Sequence, residues 1–197
     1  MKKISLSLTD EIKNQYINTK QIHVWIINCS EKSVNKNKKI LSIIKKYLTS
    51  YDFSLEKKTN GKPYIKSSHD RELYISISHS YDVLVVALSF AEPIGVDVEF
   101  VKEREFIKRI SDKYFIEPIV SLMDFYRSWT ARESFVKING NGLMVSMKKI
   151  KVDNQAKEFL IGIKDYSHKV VFHSFENYLI ATCLENSEKN SVQYFWC

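Results

Sequence analysis

Ile94-Gly95-Val96-Asp97-Val98-Glu99 alternates residue types with a period of two. Successive side chains of a β-strand leave opposite faces, so this is the pattern of a half-buried strand. Ile94, Val96 and Val98 turn towards a core, while Gly95, Asp97 and Glu99 share the other face. Gly95 leaves room on that acidic face for a ligand to approach the backbone. Further along, W-T-A-R-E-S-F-V-K at Trp129–Lys137 has the spacing of a helix. Trp129, Glu133 and Lys137 stand at i, i+4 and i+8, which is one stripe on one side. Taken singly, a D-x-E strand end is a solvated face and an E-x-x-x-K helix a surface pair worth about 0.2–0.5 kcal/mol. Taken together, they supply hard oxygen ligands for Mg²⁺ and an ammonium for a phosphate.

The chain around them alternates strands and helices. Ile22–Ile27 reads as a strand, and Ser33–Leu48 as an amphipathic helix with Ser33 near its N-cap and Ile40, Ile44, Tyr47 and Leu48 on one stripe. A turn at Asn60-Gly61 leads into Lys62-Pro63, and Leu73–Ser78 and Val83–Phe90 follow as paired strands. Val101–Phe115 and about Ile119–Ile138 read as helices, the second closed by Gly140 and Gly142. Lys149–Val152, Phe159–Ile163, Val170–Phe175, Tyr178–Leu184 and Val192–Trp196 make the last third strand-rich. His79-Ser80-Tyr81-Asp82 with Val85-Val86-Ala87 recurs 94 residues later as His173-Ser174-Phe175-Glu176 with Leu179-Ile180-Ala181. Such a recurrence fits a duplicated unit.

Composition narrows the class. At 197 residues, with 44% hydrophobic residues, the chain is long enough for a sizeable core. Cys29, Cys183 and Cys197 form no C-x-x-C pair, which argues against a disulfide framework or zinc site and for a reducing compartment. Met1-Lys2-Lys3 is followed by polar residues, not an apolar leader, and no stretch has the roughly 18 apolar residues of a membrane span. A cytoplasmic protein that binds no membrane is expected. The net charge of +7 calls for an anionic partner. Much of the excess, Lys32, Lys36, Lys38, Lys39, Lys45 and Lys46, surrounds the first helix.

I-G-V-D-V-E followed by W-T-A-R-E-S-F-V-K resembles the signature of the 4′-phosphopantetheinyl transferases. It is similar to the longer, monomeric type that activates peptide and polyketide synthetases such as surfactin synthetase. G-K-P-Y at Gly61–Tyr64, S-I-S-H-S at Ser76–Ser80 and N-G-N-G-L at Asn139–Leu143 complete the family's order. The resemblance is dense from about Gly61 to Leu143. It implies an α+β fold in which one unit, residues 1–197, is built as two similar αβ halves of about 1–100 and 101–197 related by pseudo-twofold symmetry. It implies transfer of 4′-phosphopantetheine from coenzyme A to a serine of an apo acyl or peptidyl carrier protein, with release of adenosine 3′,5′-bisphosphate.

The same resemblance implies roles. Asp97, Glu99 and Glu133 would ligate Mg²⁺, or Mn²⁺ in its place. Glu133 would act as base and Lys137 would stabilise or protonate the leaving phosphate. Lys62, Ser78, His79, Arg132 and Lys137 would bind coenzyme A, with His79 on its 3′-phosphate. Arg132 stands where the family usually has lysine, and an arginine is a planar fork, not a point charge. His173, which follows His79 by the repeat, argues that either histidine is a turn residue satisfied locally. Glu117 does not fall in register with a further acidic residue of many relatives and is left out of the metal site.

Three other readings compete. A basic, aromatic-rich domain can bind nucleic acid, but the lysines cluster on one helix and no aromatic-glycine RNA motif appears, so no nucleic-acid partner is expected. A catalytically inactive relative would still bind carrier proteins. A magnesium enzyme acting on another diphosphate would share the carboxylates but not all five motifs.

Overall fold

The computed structural model describes residues 21–31, 34–49, 51–140, 147–153, 158–185 and 191–197. The fold is α+β. Strand β1 is Gln21–Asn28, helix α1 is Lys36–Tyr47, and strands β2 to β6 are Phe53–Lys57, Pro63–Ser67, Tyr74–Ser80, Val83–Ser89 and Gly95–Phe100. Helices α2, Ile107–Tyr114, and α3, Leu122–Asn139, follow. A short 3-10 turn, Met147–Lys149, then leads to β7 to β11 at Lys151–Asp153, Phe159–Gly162, His168–Phe175, Tyr178–Glu185 and Ser191–Trp196.

Four layers result. One sheet has the order β11-β1-β5-β4, the other β6-β10-β9-β8-β7, and β2 pairs with β3 alone. Every residue of β5 is buried because both its faces are covered. Leu84, Val86 and Leu88 pack with Ile40, Ile43 and Ile44 of α1, while Val83, Val85 and Ala87 meet Val96, Val98 and Ile180 across the inter-sheet core. Behind the second sheet, Ala131, Phe135 and Val136 of α3 pack on Ala181 and Cys183 of β10. The layers are therefore helix, sheet, sheet, helix. No helix among the described residues is long and apolar enough to cross a membrane.

The same connectivity occurs twice. β1, α1 and the β4–β5 hairpin give strand order β1-β5-β4, and β6, α3 and the β9–β10 hairpin give β6-β10-β9. Both hairpins have two-residue turns, Tyr81-Asp82 and Glu176-Asn177, whose first residue takes φ 48°. Matching the turns sets the two hairpins 95 residues apart, not 94. One residue of slip exchanges the faces of a strand. His173 thus matches Ser78, and the expected correspondence of His173 with His79 does not hold.

Several boundaries differ from the sequence reading. Ser33 lies outside the described residues; the cap of α1 is Asn35, whose side chain accepts from the Lys38 N–H, an arrangement worth about 1 kcal/mol. Only Ile107–Tyr114 of the expected Val101–Phe115 helix is helical. Ser121 caps α3 by accepting from the Asp124 N–H, and Gly140 closes it in the left-handed region at φ 66°, whereas Gly142 lies outside the described residues. β2 and β3 had no counterpart in the sequence reading.

Candidate active site

β4 and β6 meet at a seam between the two sheets, and serines join it. Ser76, Ser78 and Ser80 stand on one face of β4 and accept from the backbone N–H groups of Val96 (3.0 Å), Val98 (3.4 Å) and Phe100 (3.2 Å). Each hydroxyl retains a proton to donate. Ser78 gives its own to Asp97 Oδ1 at 2.8 Å, and Ser80 to Glu99 Oε2 at 3.4 Å. The strand alternation read from the sequence is the one observed: Val96 and Val98 enter the inter-sheet core, and Asp97 and Glu99 leave on the other face.

α3 lies across that face. Lys137 Nζ donates to Asp97 Oδ1 at 2.7 Å and to Ser78 Oγ at 2.9 Å. Glu99 is held at the other end of the row by Ser80 and by Arg104 at 3.7 Å. Burial first, and then the charge of Asp97, raise the Glu99 carboxyl above its ordinary range. Burial and Asp97 likewise push Glu133 up to about 7, with Lys137 opposing the rise and Glu99 adding to it. The three carboxylates thus feel one another's charge.

Their spacing is wider than a closed coordination shell. Among the described residues no three acidic, histidine or cysteine side chains are gathered tightly enough to hold an ion. The donor set nevertheless fits a hard cation. Asp97 is buried, and its Oδ2 has no hydrogen-bond partner, an expensive state for a carboxylate oxygen unless a positive group completes it.

Beside the row opens a cavity of about 290 Å³ lined by Lys62, Pro63, Ile77, Glu133, Val136 and Lys137, among others. Lys62, one of its lining residues, donates from Nζ to the Ile138 carbonyl, a favourable place for a cation because the last carbonyls of a helix carry partial negative charge. Gly140 permits this meeting. A Cβ there would crowd the Asn60 side chain at 2.8 Å and Lys62 Cβ at 2.8 Å. The G-K-P-Y and N-G segments, far apart in sequence, are thereby joined at the end of α3.

Two expectations are corrected. Arg132 does not face the cavity; it is 0% exposed and its guanidinium is bonded to Glu117 at 2.6 and 2.7 Å. Adjacent helix positions point about 100° apart, so Arg132 cannot share the stripe of Glu133. Gly95 makes room for α3 and not for a ligand, since a Cβ there would overlap the Ser134 carbonyl oxygen. His79 is exposed near the end of β4, on the strand face opposite Ser78 that Ile75 and Ile77 share, and these two isoleucines line the cavity. The structure brings Asp97, Glu99, Glu133, Lys137, Ser78 and Lys62 into one region. Sequence reasoning missed Ser76, Ser80 and Arg104. The period-two serines of S-I-S-H-S were the available signal for the first two.

A family model described as the 4′-phosphopantetheinyl transferase superfamily matches residues 93–183. The 4′-phosphopantetheinyl transferase gsp of Aneurinibacillus migulanus is 24% identical over 160 residues, 72% of this chain and 65% of the relative. A 4′-phosphopantetheinyl transferase of Bacillus subtilis is 34% identical over 116 residues, 55% of this chain and 46% of the relative. A putative 4′-phosphopantetheinyl transferase of Synechocystis is 25% identical over 153 residues, 68% of this chain and 62% of the relative. The chain thus spans less than two thirds of the length of these relatives. The matched segment contains Asp97, Glu99, Glu133 and Lys137, and over it the chain is similar to the 4′-phosphopantetheinyl transferase superfamily.

Proposed function

We propose that this chain transfers the 4′-phosphopantetheine group of coenzyme A to a serine of an apo acyl or peptidyl carrier protein and releases adenosine 3′,5′-bisphosphate. The observation that carries the reading is the convergence of Asp97, Glu99, Glu133 and Lys137 on one wall beside a cavity that Lys62 lines. The relatives named above are transferases of this type, which supports the same reaction here.

Asp97, Glu99 and Glu133 are the residues that would hold Mg²⁺ or Mn²⁺. When bound, that cation neutralises charge on the diphosphate and on the phosphate that leaves. Lys137 has three N–H donors, of which Asp97 and Ser78 take two, leaving one for a phosphate oxygen. Its side chain is 30% exposed, so that donor is accessible. Lys62 and Lys137 line the cavity and bind the diphosphate, while the exposed His79 takes the 3′-phosphate. Glu133 accepts the proton of the carrier serine as its oxygen attacks the phosphorus bearing pantetheine. The anhydride bond breaks, and Lys137 stabilises or protonates the departing bisphosphate.

The two strand–helix–hairpin units are the similar halves of one functional unit, related by pseudo-twofold symmetry, with the site where they join. The repeated connectivity supports this, and it starts the second half at β6 instead of residue 101. A unit that pairs with itself in this way works as a monomer. Cys29, Cys183 and Cys197 are all free, which supports a cytoplasmic setting.

Intact-mass analysis of an apo carrier protein incubated with this chain, coenzyme A and Mg²⁺ tests the reading. One phosphopantetheine added per carrier, and none in excess chelator, is the expected result. A folded chain that modifies neither fatty-acid nor synthetase carriers would instead be an inactive carrier-binding relative.

A further inference from the structure

Arg132 stands directly before Glu133 yet joins none of the chemistry above. Its Nη1 donates to Glu117 Oε1 at 2.6 Å and to the Ser128 carbonyl at 3.1 Å. Its Nη2 donates to Glu117 Oε2 at 2.7 Å and to the Ile150 carbonyl at 3.3 Å. The guanidinium also lies 4.5 Å from the centre of the Phe115 ring. One side chain therefore ties α3 to the α2–α3 connection and to the segment entering β7. No Nη proton remains for a ligand, and Arg132 is wholly buried. Burial alone would raise the Glu117 carboxyl, but hydrogen bonds and charge from Arg132 outweigh it and hold the group below its ordinary range.

The place of this pair on α3 gives it a consequence. The helix touches β6 closely where Gly95 meets the Ser134 carbonyl. Ala131, Phe135 and Val136 also pack on β10 and Lys137 bonds Asp97, so the ion pair adds a directional tie to an already packed helix. Glu133 follows Arg132 directly, and one turn on Lys137 bonds Asp97, so both placements depend on the roll of that turn. A bidentate arginine–carboxylate pair is directional and resists such rotation.

We propose that Arg132 and Glu117 are positioning residues, whose buried ion pair fixes the roll of α3 so that Glu133 and Lys137 meet the Asp97–Glu99 row. Arg132 itself touches no substrate. The effect on turnover rests on the transferase reading; the effect on α3 does not.

Glu117→Gln, which keeps the shape, Arg132→Lys and the double variant are to be compared with wild type in transfer to an apo carrier protein. All are assayed at a temperature where circular dichroism shows them folded. Each single variant is expected to lose about tenfold to a hundredfold in kcat, the scale of a small misplacement of reacting groups. KM for coenzyme A should stay within about twofold, and the double variant should be no worse than the poorer single one, as for two residues acting as a unit. A rise in KM for coenzyme A confined to Arg132→Lys would make Arg132 a substrate ligand and overturn the proposal. So would wild-type kcat in Glu117→Gln. If wild type itself transfers nothing, the transferase reading fails while hydrogen exchange still decides the clamp. Exchange in Glu117→Gln should accelerate in Trp129–Lys137 and not in β5, and unchanged exchange there would refute it.

Discussion

The β4–β5 and β9–β10 hairpins share a turn geometry and a position at a seam between the sheets, yet their seams are filled differently. Facing β6, β4 presents Ser76, Ser78 and Ser80. At the matched positions β9 presents Val171, His173 and Phe175, and the strand beyond it is β11. There the contacts are aromatic: His173 stacks on Tyr194 at 4.2 Å, and Phe175 meets Trp196 edge-on at 4.7 Å. Serine hydroxyls satisfy the outward N–H groups of β6 and still donate to carboxylates, so Asp97 can be buried beside them. The second seam carries no carboxylate row among the described residues, and its polar atoms at His173 Nε2, Thr182 Oγ1 and Tyr194 Oη lack partners by hydrogen-bond geometry. Backbone plan alone does not make a site here; the side chains that close the seam do.

Substitution at each seam would break or sharpen that contrast. Asp97→Ala and Glu133→Ala should each reduce carrier modification by about a thousandfold or more with circular dichroism unchanged, since in the proposed reaction they serve as cation ligand and base. Tyr194→Phe at the other seam should keep the rate within about twofold. Near-full rate in either acidic variant would end the assignment of the metal ligands. Gly95→Ala should cost about 3 kcal/mol or more, because the helix backbone that a methyl group would strike cannot yield as a side chain does. A reduced urea midpoint at constant slope measures it.

A third test concerns the core that carries the first hairpin. His23 is buried under α1, with Nδ1 2.8 Å from the Tyr47 hydroxyl, and burial lowers it to about 4 from 6.5. Below pH 6.5 the unfolded chain takes up a proton at His23 that the folded chain refuses until about pH 4. Stability must therefore fall as pH drops through that window, by about 3 kcal/mol at its lower end. Urea midpoints of wild type and His23→Gln between pH 7 and pH 4 would show a steeper decline for wild type; parallel curves would remove the cause.

The smallest effect sharpens the correspondence of the hairpins. His79→Ala should weaken coenzyme A binding by about tenfold, the loss of one charge-assisted contact, and His173→Ala should leave it unchanged. Calorimetric titration gives both values. Equal losses would make both histidines structural.

Much of the site was legible in the sequence, and what was not has physical causes. Asp97, Glu99, Glu133 and Lys137 announced themselves because strand and helix periods fix faces without any tertiary information. Arg132 was placed on coenzyme A through the family resemblance, although its own stripe, Ser128 to Arg132, points elsewhere. Gly95 was read as space for a ligand, whereas the space belongs to α3, and only tertiary packing distinguishes the two. β2 and β3 were missed because Phe53–Lys57 and Pro63–Ser67 are short, partly exposed and mixed in charge, so they lack a strong alternation. The Val101–Phe106 stretch has helix-forming residues, yet Arg104 turns back to Glu99 and Tyr81 and the helix starts later.

The claim that the serine-lined seam holds a cation beside coenzyme A is tested most directly by Mn²⁺ titration followed by electron paramagnetic resonance of the free ion. With coenzyme A present, wild type should bind one Mn²⁺ per chain and Asp97→Ala none, while Tyr194→Phe binds as wild type does. Equal Mn²⁺ binding by wild type and Asp97→Ala, or none by wild type, would contradict the account.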